Sequence, residues 1–74
     1  MRIFVEAREI LPPDATEPPE FVRIDVTDMT QDQVKEVIEL VKQLFAGKKY
    51  ILYYHYCYHE ERKPCRVEVI EVVQ

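Results

Sequence analysis

The chain has 74 residues, 47% of them hydrophobic and 32% charged, and ten Lys and Arg against fourteen Asp and Glu leave a formal charge of −4. That length makes a single domain with a thin core, that composition excludes the low-hydrophobicity, high-charge regime of disordered chains, and the acidic balance disfavours a continuous nucleic-acid track. No apolar run approaches the roughly 20 residues that span a bilayer, and the charges of the opening Met1–Glu9 stand where a signal peptide needs an apolar stretch, so no membrane contact and a cytoplasmic location are expected.

Arg2 to Leu11 alternate loosely, with Ile3, Val5 and Ala7 on one side and Phe4, Glu6 and Arg8 on the other, which predicts a half-buried strand. Pro12, Pro13, Pro18 and Pro19 then frame Asp14-Ala15-Thr16-Glu17. Their missing amide donors and fixed φ angles exclude both helix and ladder and make this a stiff connecting loop. From Phe21 to Val26, Val22, Ile24 and Val26 oppose Arg23 and Asp25, a period-two pattern that predicts a second strand. The two strands are expected to pair antiparallel as a loose hairpin.

A helix follows. Thr30 and Gln33 have the spacing of a capping box, Met29 and Val34 that of a hydrophobic staple, and Asp32 lies in the first turn. Val34, Val37, Ile38, Val41, Leu44 and Phe45 form one apolar stripe, leaving Lys35, Glu36, Glu39, Lys42 and Gln43 for solvent. Gly47, the only glycine, stands where a left-handed residue ends a helix, with Lys48 and Lys49 against its negative end.

Tyr50–Tyr58 is rich in aromatic and β-favouring residues and predicts a third strand, and Arg66–Val73 predicts a fourth. His59–Pro64 is a charged turn between them, so these strands are expected to form a hairpin, paired symmetrically about Glu61. The element order is β-β-α-β-β, an α+β domain spanning residues 1–74, in which one helix covers one face of a four-stranded mixed sheet. That order and length resemble the β-grasp arrangement of ubiquitin-like domains. The resemblance is one of topology alone: the ending Glu71-Val72-Val73-Gln74 lacks a diglycine, so no conjugation or sulfur-carrier chemistry follows from it.

On the third strand Tyr50, Leu52, Tyr54, Tyr56 and Tyr58 share one face, and Ile51, Tyr53, His55, Cys57 and His59 the other. The odd-numbered set is expected beneath the helix, because Ile51 and Cys57 match Val67, Val69 and Cys65 across the hairpin. The tyrosines then line the open face with Phe4, Arg8, Arg23, Arg66 and Glu68, an aromatic and guanidinium mixture typical of binding surfaces. Tyr54, Tyr56, Tyr58 and Arg66 are the candidate binding residues, for a protein partner or a second copy in a homodimer. Exposed edges on strand two or three offer β-augmentation as another route. Against this stands the plainer possibility that amphipathic tyrosines simply lie over neighbouring strands with their hydroxyls in water. Base stacking on the same rings is disfavoured by the net charge.

The same strand permits other chemistry. His55, Cys57 and His59 at i, i+2 and i+4, with Cys65 across the turn, make a Cys2His2 set for tetrahedral zinc, though the spacing is no specific motif and ordinary packing also accounts for such residues. Cys57 and Cys65 straddle the turn, so a cross-strand disulfide competes for the same sulfurs, and two unconnected thiols are the default. The absence of Ser and Asn, and four of five prolines in one loop, resemble thermophile composition, which raises the disulfide option. Catalysis has little support. No serine or glycine-rich phosphate cradle is present, no motif implies a cofactor, and Glu60 and Glu61 sit beside Arg62 and Lys63 as a solvated tip. A non-enzymatic binding or regulatory module acting through the tyrosine-rich face is the leading expectation, and a metal-binding or thiol-redox protein using His55, Cys57, His59 and Cys65 is the alternative.

Overall fold

A computed structural model describes residues 1–74. Strands β1 (Arg2–Glu9), β2 (Phe21–Asp25), β3 (Tyr50–Cys57) and β4 (Arg66–Val73) form one sheet in the order β2-β1-β3-β4, and helix α1 (Gln31–Leu44) connects β2 to β3. Every neighbouring pair is antiparallel. The mixed sheet expected from the element order is therefore not formed: α1 returns the chain to β1 with its direction reversed. The edges are β2 and β4, and β3, which was expected as a candidate edge, is central. No helix is long and apolar enough to cross a membrane.

Local chemistry sets the element ends. The Thr30 hydroxyl accepts from the Gln33 amide at 3.2 Å and the Gln33 side chain accepts from the Thr30 amide at 2.9 Å, completing the capping box. Gly47 adopts φ +81 with nothing within 4 Å of the space a Cβ would take, so backbone conformation rather than room is what calls for glycine there. The paired part of β1 ends at Glu9, before the proline loop, and β3 ends at Cys57, where the tip begins.

The core lies between α1 and one face of the sheet. Val5, Ala7, Val26, Val41, Phe45, Tyr50 and Leu52 are buried there, with Ile3, Val22, Ile24, Val34, Val37, Ile38 and Tyr54 packed around them. Leu52, Val5 and Val41 are the largest fully buried side chains, each stabilising the fold by about 1.5–3 kcal/mol through removal from water. Leu44, assigned to the apolar stripe by its spacing, instead points into solvent at 67% exposure.

The face assignment of β3 is the main correction. Tyr50 is buried against Phe45, with ring centroids 5.3 Å apart, and Tyr54 packs on the core, so the even-numbered residues lie on the helix side. Directly paired residues share a face, and Ile3, Val5 and Ala7 of β1 pair with Tyr56, Tyr54 and Leu52. Ile51, Tyr53, His55 and Cys57 consequently share the helix-free face with Phe4, Glu6 and Arg8. Phe4, Arg8 and Arg23 lie on that face as expected, but Arg66 and Glu68, paired with Tyr56 and Tyr54, lie with the tyrosines on the helix side. Val73 pairs with Tyr50 and packs on the core, but Val67, Val69 and Val72 match the odd-numbered set, the first two as the hairpin symmetry required. They stay exposed because β4 is an edge strand and no second layer covers that side.

Candidate metal centre

β3 and β4 pair Tyr53 with Val69, His55 with Val67 and Tyr56 with Arg66, a register symmetric about Glu61 up to an irregularity at Leu52/Tyr53. Continued one step past the ladder, the same symmetry sets Cys57 opposite Cys65. Both are free cysteines. The tip is a single 3-10 turn, His59–Glu61, closed by Arg62 in the left-handed conformation at φ 55. Amides of Glu61 and Lys63 donate to the Tyr58 carbonyl at 3.0 and 3.2 Å, and that of Arg62 to the His59 carbonyl at 3.1 Å. This tight turn folds His59 back over the end of β3.

Three of the four candidate ligands converge as a result, and His59 stands beside the two sulfurs. One ligating atom each from His55, Cys57 and Cys65 lie within 4.8 Å of one another. His59 Nδ1 stands 2.6 Å from Cys57 Sγ and 3.9 Å from Cys65 Sγ. With Zn–N near 2.0 Å and Zn–S near 2.3 Å, ligand atoms on a tetrahedral ion stand about 3.3–3.8 Å apart. The Cys65–His59 separation lies just beyond that range and the Cys57–His59 separation about 1 Å short of it, so a side-chain rotation of the exposed His59 on its turn brings both toward it. The His59 amide and then its imidazole hydrogen-bond the Cys57 sulfur, joined by the Cys65 thiol, and together they hold the Cys57 thiol below its ordinary range against the opposing effect of desolvation. A lowered thiol favours the thiolate, the form that ligates.

Behind His55 lies a group to which the sequence assigned no role. Glu6 is 3% exposed on the helix-free face, and its Oε2 accepts from Arg23 Nε at 2.8 Å and contacts His55 Nδ1 at 2.7 Å. No second layer of protein buries it; neighbouring side chains do. Burial alone would push the carboxyl up, but hydrogen bonds from His55 and Tyr53 and the Arg23 charge hold it below the usual carboxylate range. With Glu6 ionised, His55 Nδ1 is the donor. Arg23 in turn lies 5.3 Å over the Phe4 ring and 5.7 Å over Phe21, and Phe4 sits 5.7 Å from the His55 ring. The only hint of this in the sequence was a carboxylate in mid-strand between Val5 and Ala7; its partners come from two other strands.

The candidate binding residues lie elsewhere. Tyr54 and Tyr56 border a concavity of about 400 Å³ between the start of α1 and the sheet, lined also by Ile3, Val26, Met29 and Val34. Arg66 stacks 4.8 Å over the Tyr56 ring, and Tyr58 and Arg66 flank Cys65 in a shallow hollow at the tip. They form no single open aromatic face. Compared with known proteins, the chain matches no family model, and no significantly similar curated protein or solved structure is found.

Proposed function

We propose that the protein is a small metal-binding module in which His55, Cys57, His59 and Cys65 hold one zinc ion in a closed tetrahedral site. The observation that carries this is the convergence of His55, Cys57 and Cys65 from the two ends of the β3–β4 hairpin turn, with the His59 imidazole against both sulfurs. Two thiolates with two imidazoles select zinc over the oxygen-seeking magnesium and calcium ions. Four protein ligands leave no open position for water or substrate, so the role is structural and the module works by binding rather than by catalysis. Two further features support the reading. Only 8 of 74 residues are buried, and domains with so little core commonly rely on a metal or a cross-link. The left-handed Arg62 costs the tip conformational energy, which a metal clamp offsets.

The test is titration of the reduced, metal-free protein with Zn²⁺ against a chromophoric chelator, with Co²⁺ as a spectroscopic substitute. One ion per chain and thiolate-to-cobalt charge-transfer bands are expected, both lost in Cys57→Ser and Cys65→Ser. At a free zinc concentration 100 times the Kd, the metal adds about 2.7 kcal/mol to stability. No binding, or binding indifferent to both substitutions, overturns the proposal.

A second reading rests on a different observation: Val67, Val69 and Val72 of the edge strand β4 are all more than 40% exposed on the helix-free face. Monomeric domains seldom leave such apolar side chains grouped together, which supports self-association through that face in a homodimer. Val67→Thr with Val69→Thr then abolishes dimerisation in light scattering while shifting monomer stability by only about 0.5 kcal/mol. A chain that is monomeric at high micromolar concentration removes this reading.

A further inference from the structure

Resting on the zinc reading above, we propose that Glu6 is the positioning residue of the metal centre, selecting which nitrogen of His55 ligates and fixing the plane of its ring. An imidazole has two nitrogens, and a metal takes the one that the surroundings leave free. Here Nδ1 is committed to Glu6 Oε2 at 2.7 Å, so Nε2 is the nitrogen offered to the ion. A carboxylate behind a ligating histidine fixes the tautomer and raises the basicity of the ligand.

The arrangement around Glu6 suits that task. Its side chain is 4% exposed, and Arg23 Nε anchors the same oxygen from β2 at 2.8 Å, so the acceptor is held from a strand that contributes no ligand. The tilted Phe4 ring limits rotation of the imidazole from one side. All buried polar side-chain atoms have hydrogen-bond partners, so Glu6 is held in one orientation at no cost in unpaired groups. His59 differs: it is exposed on the 3-10 turn, and its only side-chain partners are the two sulfurs. The centre thus has one histidine oriented through the sheet and one brought in by the turn, and Glu6, about 50 residues upstream in the chain, couples the β1–β2 hairpin to metal affinity.

The experiment compares the unsubstituted protein with Glu6→Gln and Glu6→Leu, reading Zn²⁺ affinity by chelator competition and the His55 tautomer by long-range ¹H–¹⁵N correlation. The unsubstituted protein is expected to carry the His55 proton on Nδ1 and to bind zinc through Nε2. Glu6→Leu is expected to bind about 10–100-fold more weakly with a mixed tautomer, while its thiolate-to-cobalt bands persist. Glu6→Gln keeps an acceptor for Nδ1–H and falls between the two, a partial rescue that a purely packing role would not produce. If Glu6→Leu does not fold, Glu6→Gln decides by weakened against unchanged affinity. Unchanged affinity and tautomer in the folded variants overturn this inference alone. No zinc binding by the unsubstituted protein overturns the metal reading and this inference together.

Discussion

The two faces of the sheet bury side chains by different means. Beneath α1, Val5, Ala7, Val41 and Leu52 lose all contact with water because helix and sheet interlock, and the stabilisation is the hydrophobic transfer of those groups. On the other face no layer exists. Yet Glu6 is nearly inaccessible there, enclosed by Arg23, His55 and Phe4, while Val67, Val69 and Val72 on the edge strand β4 stay exposed. The covered face supplies stability, and the open face supplies specific polar geometry. The candidate metal ligands His55 and Cys57 belong to the second.

Stability measurements on metal-free protein can break that division. Leu52→Ala is expected to show the largest effect, a loss of about 2–5 kcal/mol in urea unfolding, because a cavity opens under the helix where nothing collapses to fill it. Glu6→Ala is expected to cost less, roughly 1–3 kcal/mol, since the Arg23 and His55 groups it strands are near enough to the surface to recruit water. Equal costs for the two substitutions would contradict the distinction. The smallest effect concerns Asp25, at the rim of the open face. The Thr27 hydroxyl and amide, and then the Arg2 guanidinium, hold its carboxyl below the ordinary 3.8. A carboxyl depressed by folding contributes stability that is present above its unfolded value and is lost as pH falls through the folded one. Asp25→Asn should therefore flatten the decline in unfolding midpoint below pH 4 and leave the difference between pH 6 and pH 8 unchanged. A decline of the same steepness in the variant would assign the acid sensitivity to other carboxylates.

Much of the fold was legible because its signals are local. The Thr30–Gln33 box, the stripe from Val34 to Phe45 and the period-two runs at Phe21 and Arg66 each express a backbone geometry within a few residues. The hairpin register was legible for the same reason: a turn centred on Glu61 makes Tyr53 meet Val69 and Cys57 approach Cys65. The proposed metal set was read from that register and from the i, i+2, i+4 spacing of His55, Cys57 and His59, and the structure brings His55, Cys57 and Cys65 within 4.8 Å of one another. The face of β3 was not legible, because both of its sides carry residues acceptable to a core. The two cross-strand clues disagreed, with Val67 and Val69 favouring the odd side and Val5 and Ala7 the even side. The second prevailed, since β1 is central and must be covered while β4 is an edge that can remain wet.

The sequence by itself determined the elements, the helix start and the register of the β3–β4 hairpin near its turn, since each depends on contacts within one turn, strand or hairpin. Only the tertiary structure decided that the sheet is antiparallel throughout, that Tyr50 and Tyr54 turn toward α1, and that Glu6 meets His55 across β1 and β3. Those outcomes depend on which strands become neighbours. That choice is settled by the total apolar area one helix can cover, a quantity summed over the whole chain and written in no single segment.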